Sequence, residues 1–314
     1  MAGKIRVAVV GVGHLGRFHA QKYAALPHCE LVAVVDVDRA RVKAVSRELG
    51  VAGYTTLAPV LAQVDAVSIA TPTRCHHSVG CACLEAGKHT LMEKPIAADI
   101  AQGEELIALA RSRGVVLQVG YLERFNPAFV ACQPRIAHPQ YIESVRISSY
   151  AGRGVDVDVV LDLMSHDLDL VTSLVSCPLR DLHAVGISLM TSSTDLAHVH
   201  IVFENGCVAN LTASRISAKA ERKMRLFQPD RYFSMDFARP AAREYIADRG
   251  SGDRSGVREV VLKVNEGDAL LAEIEGFLRA IATGAPPVVR GEDGLRAMAL
   301  ADRVTRDIAR NALR

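Results

Sequence analysis

A glycine-rich turn near the start of the chain constrains the fold more than any other segment. The run Ile5–Val10 is apolar and rich in β-branched residues, as is typical of a buried strand. The next six residues, before a helical pattern, are Gly11, Val12, Gly13, His14, Leu15 and Gly16. The first glycine permits a tight turn, the second lets a ligand approach the backbone, and the third lets the helix pack closely on the strand. We therefore expect a strand–turn–helix unit whose helix start binds a phosphate group.

An acidic residue after the second predicted strand indicates which nucleotide this unit binds. Leu31–Val35 is the second apolar run, and Asp36 follows it, 20 residues after Gly16. A carboxylate at this position accepts hydrogen bonds from an adenosine ribose and repels a 2′-phosphate. The segment therefore predicts NAD, and not NADP, as the cofactor, held by the glycine turn and Asp36.

The pattern of apolar residues changes at Tyr121. Before it, apolar runs alternate with helical patterns, which favours a parallel sheet covered by helices on both faces. After it, short strands follow one another with one helix near Val159–Val175, which favours a mainly antiparallel sheet. Asn205-Gly206 indicates a hairpin turn with positive φ at both residues. The fold class expected is a doubly wound α/β Rossmann domain followed by an open antiparallel sheet.

These patterns divide the chain into three predicted parts. Residues 1–121 form the NAD-binding domain, and residues 122–290 form a substrate and oligomerisation domain. Residues 291–314 form a helix that packs back on the first domain. Because one face of an open antiparallel sheet commonly needs cover, we expect a homodimer or homotetramer built through that sheet.

Composition argues against several classes of protein. The 314 residues carry a net charge of only +2, which does not favour a nucleic-acid or membrane partner. Without a signal peptide or a long apolar run, the expected location is the cytoplasm. Seven scattered cysteines do not suggest a disulfide framework. Histidines 76 and 77 and cysteines 81 and 83 have the wrong spacing for a closed zinc site, so no metal is expected.

A charged pair lies at the carboxyl end of another predicted strand. The segment is His89-Thr-Leu-Met-Glu93-Lys94-Pro95, and ligands of open α/β sheets bind at such strand ends. Lys94 is a candidate to hydrogen-bond a substrate hydroxyl and stabilise negative charge on its oxygen. The alternative is a salt bridge between surface groups in a loop.

The helix of the second half carries a polar stripe. Asp162, His166 and Asp169 follow i, i+4, i+7 spacing, which places them on one helix face. Histidine takes a hydroxyl proton near neutral pH, and a carboxylate one turn away can orient the ring. The alternative is the solvated side of an amphipathic helix.

Taken together, these motifs resemble those of the Gfo/Idh/MocA oxidoreductases, including Thr71-Pro72-Thr73-x-x-His76, although Thr73 stands where that family more often has asparagine. The resemblance implies oxidation of a ring hydroxyl with NAD(P). It implies that Lys94 contacts the reacting hydroxyl, that His166 is the general base and that Asp162 assists it. It also places four residues beside the nicotinamide: Thr71, Pro72, His76 and Glu93.

Three further segments resemble family members that oxidise position 3 of UDP-N-acetylglucosamine for the 2,3-diamino sugars of lipid A. They are residues 120–127, 156–164 and 208–216. Cations suited to a pyrophosphate cluster at Arg215, Lys219, Arg222, Lys223 and Arg225, although a solvated surface explains them equally. Arg124, Arg153, Asp162 and Arg215 are the substrate-binding candidates. The alternatives are an inositol or free-sugar dehydrogenase and a non-catalytic NAD-sensing regulator.

Overall fold

The structure is a computed structural model that describes residues 3–149, 158–248 and 256–312. The chain forms two compact units. The first unit comprises Met1–Leu122 and Asp268–Leu295, and the second comprises Glu123–Gly267 and Arg296–Arg314. In the described ranges, no helix combines the length and apolar character that crossing a membrane requires.

The first unit contains a six-stranded parallel sheet in the described residues, with strand order β3-β2-β1-β4-β5-β6. Its strands are β1 (Ile5–Val10), β2 (Cys29–Val35), β3 (Ala52–Tyr54), β4 (Ala66–Ile69), β5 (His89–Glu93) and β6 (Leu117–Gly120). The intervening helices are α1 (His14–Ala25), α2 (Arg39–Leu49), α3 (Ala58–Leu61), α4 (His76–Glu85) and α5 (Ile100–Arg113). This order confirms the predicted doubly wound Rossmann fold.

Local sequence explains why these helices begin and end where they do. Asp38 precedes α2, and its carboxylate accepts the backbone N–H groups of Ala40 and Arg41. Asp99 performs the same role for α5 by accepting from Gln102. Such side chains satisfy the N–H groups that a helix start leaves without a helical partner. At their carboxyl ends, α2, α4 and α5 are followed by glycines 50, 87 and 114, and all three adopt the positive φ that ends a helix.

The second unit contains an eight-stranded sheet in the described residues, with order β14-β13-β12-β11-β7-β10-β9-β8. Its strands are β7 (Tyr141–Ile147), β8 (Leu179–Ile187), β9 (Leu196–Phe203), β10 (Val208–Ser214), β11 (Glu221–Phe227), β12 (Arg231–Asp236), β13 (Ala241–Asp248) and β14 (Gly256–Val261). Only β7 and β10 pair in parallel among these neighbours, so the predicted mainly antiparallel sheet is confirmed. Its helices are α6 (Pro127–Cys132), the π-helical turn Val160–Met164 and α7 (Ser165–Leu174).

The C-terminal helices differ from the predicted boundaries. α8 (Ala269–Thr283) belongs to the first unit, where Phe277 packs in the same buried cluster as Tyr23. α9 (Gly291–Ala312) joins the second unit from Arg296 onward, and its Val304 lies in the core under the large sheet. The first turn of α9 therefore belongs to the first unit, and from Arg296 onward its apolar face packs in the second. Helix periodicity identified this face but did not say which surface would cover it.

Two smaller features also differ from the sequence expectations. The hairpin between β9 and β10 is present, but only Gly206 has positive φ, because Asn205 adopts negative φ in a three-residue turn. Phe203 N–H donates to the Cys207 carbonyl at 2.9 Å and closes this turn. The short edge strand β3 and the strand β13 were not predicted from the sequence.

Candidate active site

The glycine turn of the first unit leaves its backbone open at the start of α1. Gly11 has φ of +84°, and a Cβ there would lie 2.7 Å from the Ala70 backbone. A Cβ on Gly16 would overlap the Gly11 carbonyl oxygen, so helix and turn approach too closely for any side chain. Gly13, in contrast, faces open space with only Arg41 Nη1 near, at 3.9 Å. The turn therefore has the space and the N–H groups that a pyrophosphate needs.

Asp36 follows β2 and is hydrogen-bonded to the glycine turn. Its Oδ2 accepts the N–H of Val12 at 2.9 Å, and its Oδ1 accepts the N–H of Asp38 at 2.9 Å. The residue is only 8 % exposed, and each carboxylate oxygen retains a lone pair for a further donor. A ribose diol has the geometry to supply such donors. The turn and Asp36 together fit NAD.

The carboxyl end of β5 holds Glu93 in a defined position. Its Oε1 lies 3.0 Å from His19 Nε2, and its Oε2 accepts the backbone N–H of Lys94 at 3.3 Å. The second ring nitrogen of His19 lies 2.8 Å from Ser68 Oγ. A Cβ on Gly120 would lie 3.2 Å from the Glu93 carboxyl carbon, so β6 presses against this side chain. Glu93 is thus a partly buried side chain, 15% exposed, that contacts His19 and accepts the Lys94 backbone N–H.

His76 connects two of the predicted site segments. Its Nδ1 lies 2.7 Å from the Pro95 carbonyl oxygen, and its Nε2 lies 2.9 Å from the Thr71 carbonyl oxygen. Pro72 follows Thr71 at the end of β4, and the Lys94–Pro95 peptide is cis. His76 therefore ties the segment after β4 to the segment after β5. The structure brings Thr71, His76 and the Glu93–Pro95 segment together. This is expected of residues that follow the neighbouring parallel strands β4 and β5.

The residues considered for zinc do not form one group. His76 and Cys83 are buried, whereas His77 and Cys81 are partly exposed beside Glu105 of α5. His77 Nε2 lies 2.8 Å from Glu105 Oε2, so an ordinary hydrogen bond explains that contact. The absence of a metal stays a prediction.

In the second unit, the predicted catalytic residues lie on the π-helical turn and α7. Asp162 and His166 are half-buried, so both keep an accessible side. Asp158 caps this turn by accepting the N–H of Leu161 at 2.9 Å. Asp169 does not share the accessible face, because its side chain is fully buried. The three-residue stripe thus separates into two accessible groups and one interior group.

Buried ion pairs fix α7 from below. Arg124 donates to both oxygens of Asp169, and Arg146 donates to both oxygens of Asp167 and to Glu123 Oε1 at 2.6 Å. Burial alone would lower the pKa of Arg146, but the adjacent carboxylates raise it above its ordinary value. Two aspartates that follow His166 on α7, Asp167 and Asp169, are therefore held in place. Sequence reasoning missed Glu123, Arg146 and Asp167. Glu123 nevertheless lies in residues 120–127, one of the segments that carry the family resemblance.

Two of the three arginines predicted to bind substrate pair with buried carboxylates. Arg124 pairs with Asp169, and Arg215 pairs with the buried Asp195 at 2.9 Å. Burial opposes ionisation of Asp195, but backbone N–H groups of Thr191 and Met190 outweigh it and lower the pKa. Arg153 falls outside the described residues. Substrate contacts by these arginines stay predictions.

The predicted basic group does not form one surface. Arg215 is buried, and strand alternation separates Arg222 from its neighbours on β11. Lys223 pairs with Glu221 at 3.1 Å, and Arg225 pairs with Glu143 at 2.9 Å. Lys223 and Arg225 lie on the face of the eight-stranded sheet opposite its core, the open face. This face therefore carries paired charges of both signs at this position. It offers a phosphate less positive charge than the sequence suggested.

Both halves of the chain match models of one enzyme family. Residues 5–121 match the oxidoreductase family with an NAD-binding Rossmann fold, and residues 137–229 match the GFO/IDH/MocA C-terminal domain. The protein therefore belongs to the Gfo/Idh/MocA family and is an NAD-dependent oxidoreductase. The family resemblance seen in the sequence is confirmed, as is the cofactor.

Particular relatives are similar over the whole chain. UDP-N-acetylglucosamine 3-dehydrogenase of Acidithiobacillus ferrooxidans is 41% identical over 304 residues, 96% of each chain. A solved structure of that enzyme has a TM-score of 0.93 at 40% identity and covers 97% of both chains. Myo-inositol 2-dehydrogenase of Thermotoga maritima is 24% identical over 323 residues, 94% of each chain.

Proposed function

We propose that the protein oxidises the C3 hydroxyl of UDP-N-acetylglucosamine to a ketone. The observation that carries this proposal is the full-length similarity to the Acidithiobacillus ferrooxidans dehydrogenase, at 41% identity. The product would be a 3-keto nucleotide sugar, which an aminotransferase can convert to a 2,3-diamino sugar for lipid A. We also propose a cytoplasmic location, because NAD and UDP-linked sugars are cytoplasmic metabolites.

The proposal assigns the chemical step to three residues. NAD, when bound, accepts the hydride that leaves C3. His166 takes the proton of the C3 hydroxyl, and Lys94 donates a hydrogen bond to the oxygen as it gains negative charge. Asp162, four residues before His166, orients the imidazole or binds a second hydroxyl. Their accessible or strand-end positions support these roles, together with the family membership.

Arg124 and Arg215 have a mainly structural role in this proposal. Both guanidiniums already bind buried carboxylates, so their main contribution is to hold α7 and the β8–β9 connection. Any direct contact with the sugar or its diphosphate would come from N–H groups that these pairs leave available. Arg153 keeps its proposed role in substrate binding.

Two other functions compete with this one. Similarity to the Thermotoga maritima enzyme favours an inositol dehydrogenase as the second candidate. A non-catalytic NAD sensor is the third, although a sensor has no need of both Lys94 and His166. Incubation with NAD and a panel of UDP-sugars, myo-inositol and free sugars, followed by NADH absorbance, separates them. NADH formation only with inositol would reverse the order, and none with any polyol despite NAD binding would favour the sensor.

We propose further that the protein is a homodimer or homotetramer that uses the open face of the eight-stranded sheet. Apolar side chains on that face support the proposal, since Val185 on β8 and Val261 on β14 are 55% and 73% exposed. Between them lies a row of stacked aromatic rings on successive strands, including Tyr232 and Tyr245 with centroids 4.3 Å apart. Such a mixture of aromatic and aliphatic surface is typical of an interface core.

A further inference from the structure

The carboxyl group of Glu273, on α8 of the first unit, is buried without a hydrogen bond. Its residue is 1% exposed, and the described part of the chain supplies no partner to Oε1 or Oε2. The Gln118 side chain donates to the Glu273 backbone carbonyl at 3.1 Å, which fixes the helix but leaves the carboxyl unsatisfied. An ionised carboxylate is strongly destabilising in such a place, whereas a protonated carboxyl is neutral and can donate.

The groups that face this carboxyl are themselves titratable. Oxygen atoms of Glu273 and Glu93 and a ring nitrogen of His19 lie within 4.8 Å of one another. His19 contacts Glu93 through one ring nitrogen and Ser68 through the other. Tyr23 of α1 adjoins the group, and burial, with a contribution from Glu273, raises its pKa. Glu273 therefore faces a second carboxyl whose oxygens already accept hydrogen bonds.

We propose that Glu273 and Glu93, with His19, form a buried proton-binding site under the carboxyl end of β5, in which Glu273 keeps its proton at neutral pH. The separation allows the protonated carboxyl to reach Glu93 after a small movement or through one bridging water. Burial first, and then the negative charge of Glu93, raise the pKa of Glu273 well above its ordinary value of 4.5.

A divalent cation is the competing occupant, since two carboxylates and an imidazole are also metal ligands. The observed geometry favours the proton. His19 Nε2 and Glu93 Oε1 are 3.0 Å apart, which is a hydrogen bond between the two groups that a cation would have to separate. A proton on Glu273 satisfies the carboxyl while that bond stays intact.

The site has a consequence for Lys94, and this part of the inference rests on the proposed function. Glu93 Oε2 accepts the backbone N–H of Lys94. Loss of the proton would place two negative charges side by side and push Glu93 away from this N–H. Glu273 is thus a positioning residue that keeps Glu93, and through it Lys94, in place up to the pH at which Glu273 ionises.

The first test compares the pH dependence of unfolding in the wild-type protein and in Glu273→Gln, a neutral isostere. The unfolded state loses the Glu273 proton near pH 4.5, whereas the folded state retains it to higher pH. Across that interval the wild-type protein loses stability as pH rises, because its unfolded state binds fewer protons. The ratio of the two unfolding constants should therefore change by about tenfold per pH unit, in favour of the variant.

Glu275→Gln supplies the matched control, since it is the same change on the same helix at a half-buried position. Its curve should parallel that of the wild-type protein. Parallel curves for Glu273→Gln as well would overturn the proton site. An equimolar metal in the purified protein, removed by chelators and lost in Glu273→Gln, would overturn it in favour of a cation.

Two measurements extend the test. Carbon-13 labelling of glutamate carboxyls in the wild-type protein should show one carboxyl that titrates well above the rest, and its absence would contradict the proposal even where the variant fails to fold. With NAD and substrate, the alkaline limb of kcat/KM should move to higher pH in Glu273→Gln but not in Glu275→Gln. An unmoved limb together with altered stability would leave the proton site standing and refute its positioning role, independently of which substrate is turned over.

Discussion

Arg124 binds Asp169 at two points beneath α7, with Nε 2.7 Å from Oδ2 and Nη2 3.1 Å from Oδ1. The Arg124 side chain is 7% exposed and the Asp169 side chain is fully buried. This pair connects the segment before α6 to the helix that carries His166. Planar, two-point contacts of this kind fix geometry as well as charge.

Replacing Arg124 with leucine should destabilise the protein by about 3–5 kcal/mol, because it leaves the Asp169 carboxylate buried without these two donors. Denaturant unfolding at neutral pH measures the loss. Arg306→Leu is the control, since Arg306 pairs with Asp302 at 2.8 Å on the exposed side of α9. That change should cost no more than about 1 kcal/mol. Equal costs for the two variants would show that the buried pair has no special weight.

Removal of the proposed acid–base residues should abolish most turnover while NAD still binds. Lys94→Ala and His166→Ala should each lower kcat by about 10²–10⁴-fold, since a positioned proton acceptor or hydrogen-bond donor contributes that much. NADH formation measures turnover, and fluorescence titration measures cofactor binding. The controls are Lys43→Ala and His183→Ala, both exposed positions in the same respective units. Near-normal kcat in Lys94→Ala or His166→Ala would refute the assignment.

Alanine substitutions at two glycines of the turn should impair different properties of the protein. Gly16→Ala places a methyl group against the Gly11 carbonyl and should destabilise the first unit by about 1–3 kcal/mol or more. Gly13→Ala meets nothing closer than Arg41 Nη1 at 3.9 Å and should leave stability unchanged. It should nevertheless weaken NAD binding, because the methyl group occupies the surface that the pyrophosphate approaches. Thermal unfolding and NAD titration of both variants test this separation, and identical behaviour would contradict it.

Asp36 should set the preference for NAD over NADP. In Asp36→Ser the carboxylate that we expect to bind the ribose and repel a 2′-phosphate is lost. A hydrogen bond to a charged group contributes about 1.5–3 kcal/mol, so NAD affinity should fall about 10–100-fold while NADP affinity falls less or rises. Asp38→Ser is the control, since Asp38 caps α2 through its side chain. A ratio of NAD to NADP affinity that is the same in Asp36→Ser as in the wild-type protein would contradict this role.

The sequence predicted those features whose chemistry is local. The glycine turn and Asp36 follow the neighbouring strands β1 and β2, and Thr71 and the Glu93–Pro95 segment follow the neighbouring strands β4 and β5. The carboxyl ends of parallel strands lie at one edge of the sheet. Their convergence could be inferred without knowing any distance. The two strands that were missed, β3 and β13, lack the apolar alternation that the prediction used: Ala52–Tyr54 is short, and Ala241–Asp248 contains Arg243 and Glu244.

What the sequence could not show is which charges are buried. Asp169 has the same helical spacing as Asp162, and only the position of Arg124 determines that one faces inward. Arg215 belongs to a run of basic residues by sequence but pairs with Asp195 in the fold. Glu273 and Glu275 lie on the same helix, and the burial of Glu273 depends on how α8 packs in the first unit. Long-range pairing decides these cases, and periodicity does not encode it.

Substitutions on the open face of the eight-stranded sheet should separate subunits. Val185→Glu and Val261→Glu place a carboxylate at positions on β8 and β14 that an interface would bury, at a cost of several kcal/mol per charge. The association constant should therefore fall by at least about 100-fold. Val130→Glu, on α6 and 49% exposed, is the control and should not change the sedimentation coefficient. Sedimentation velocity at micromolar concentration measures the change, and a monomeric wild-type protein would contradict the interface.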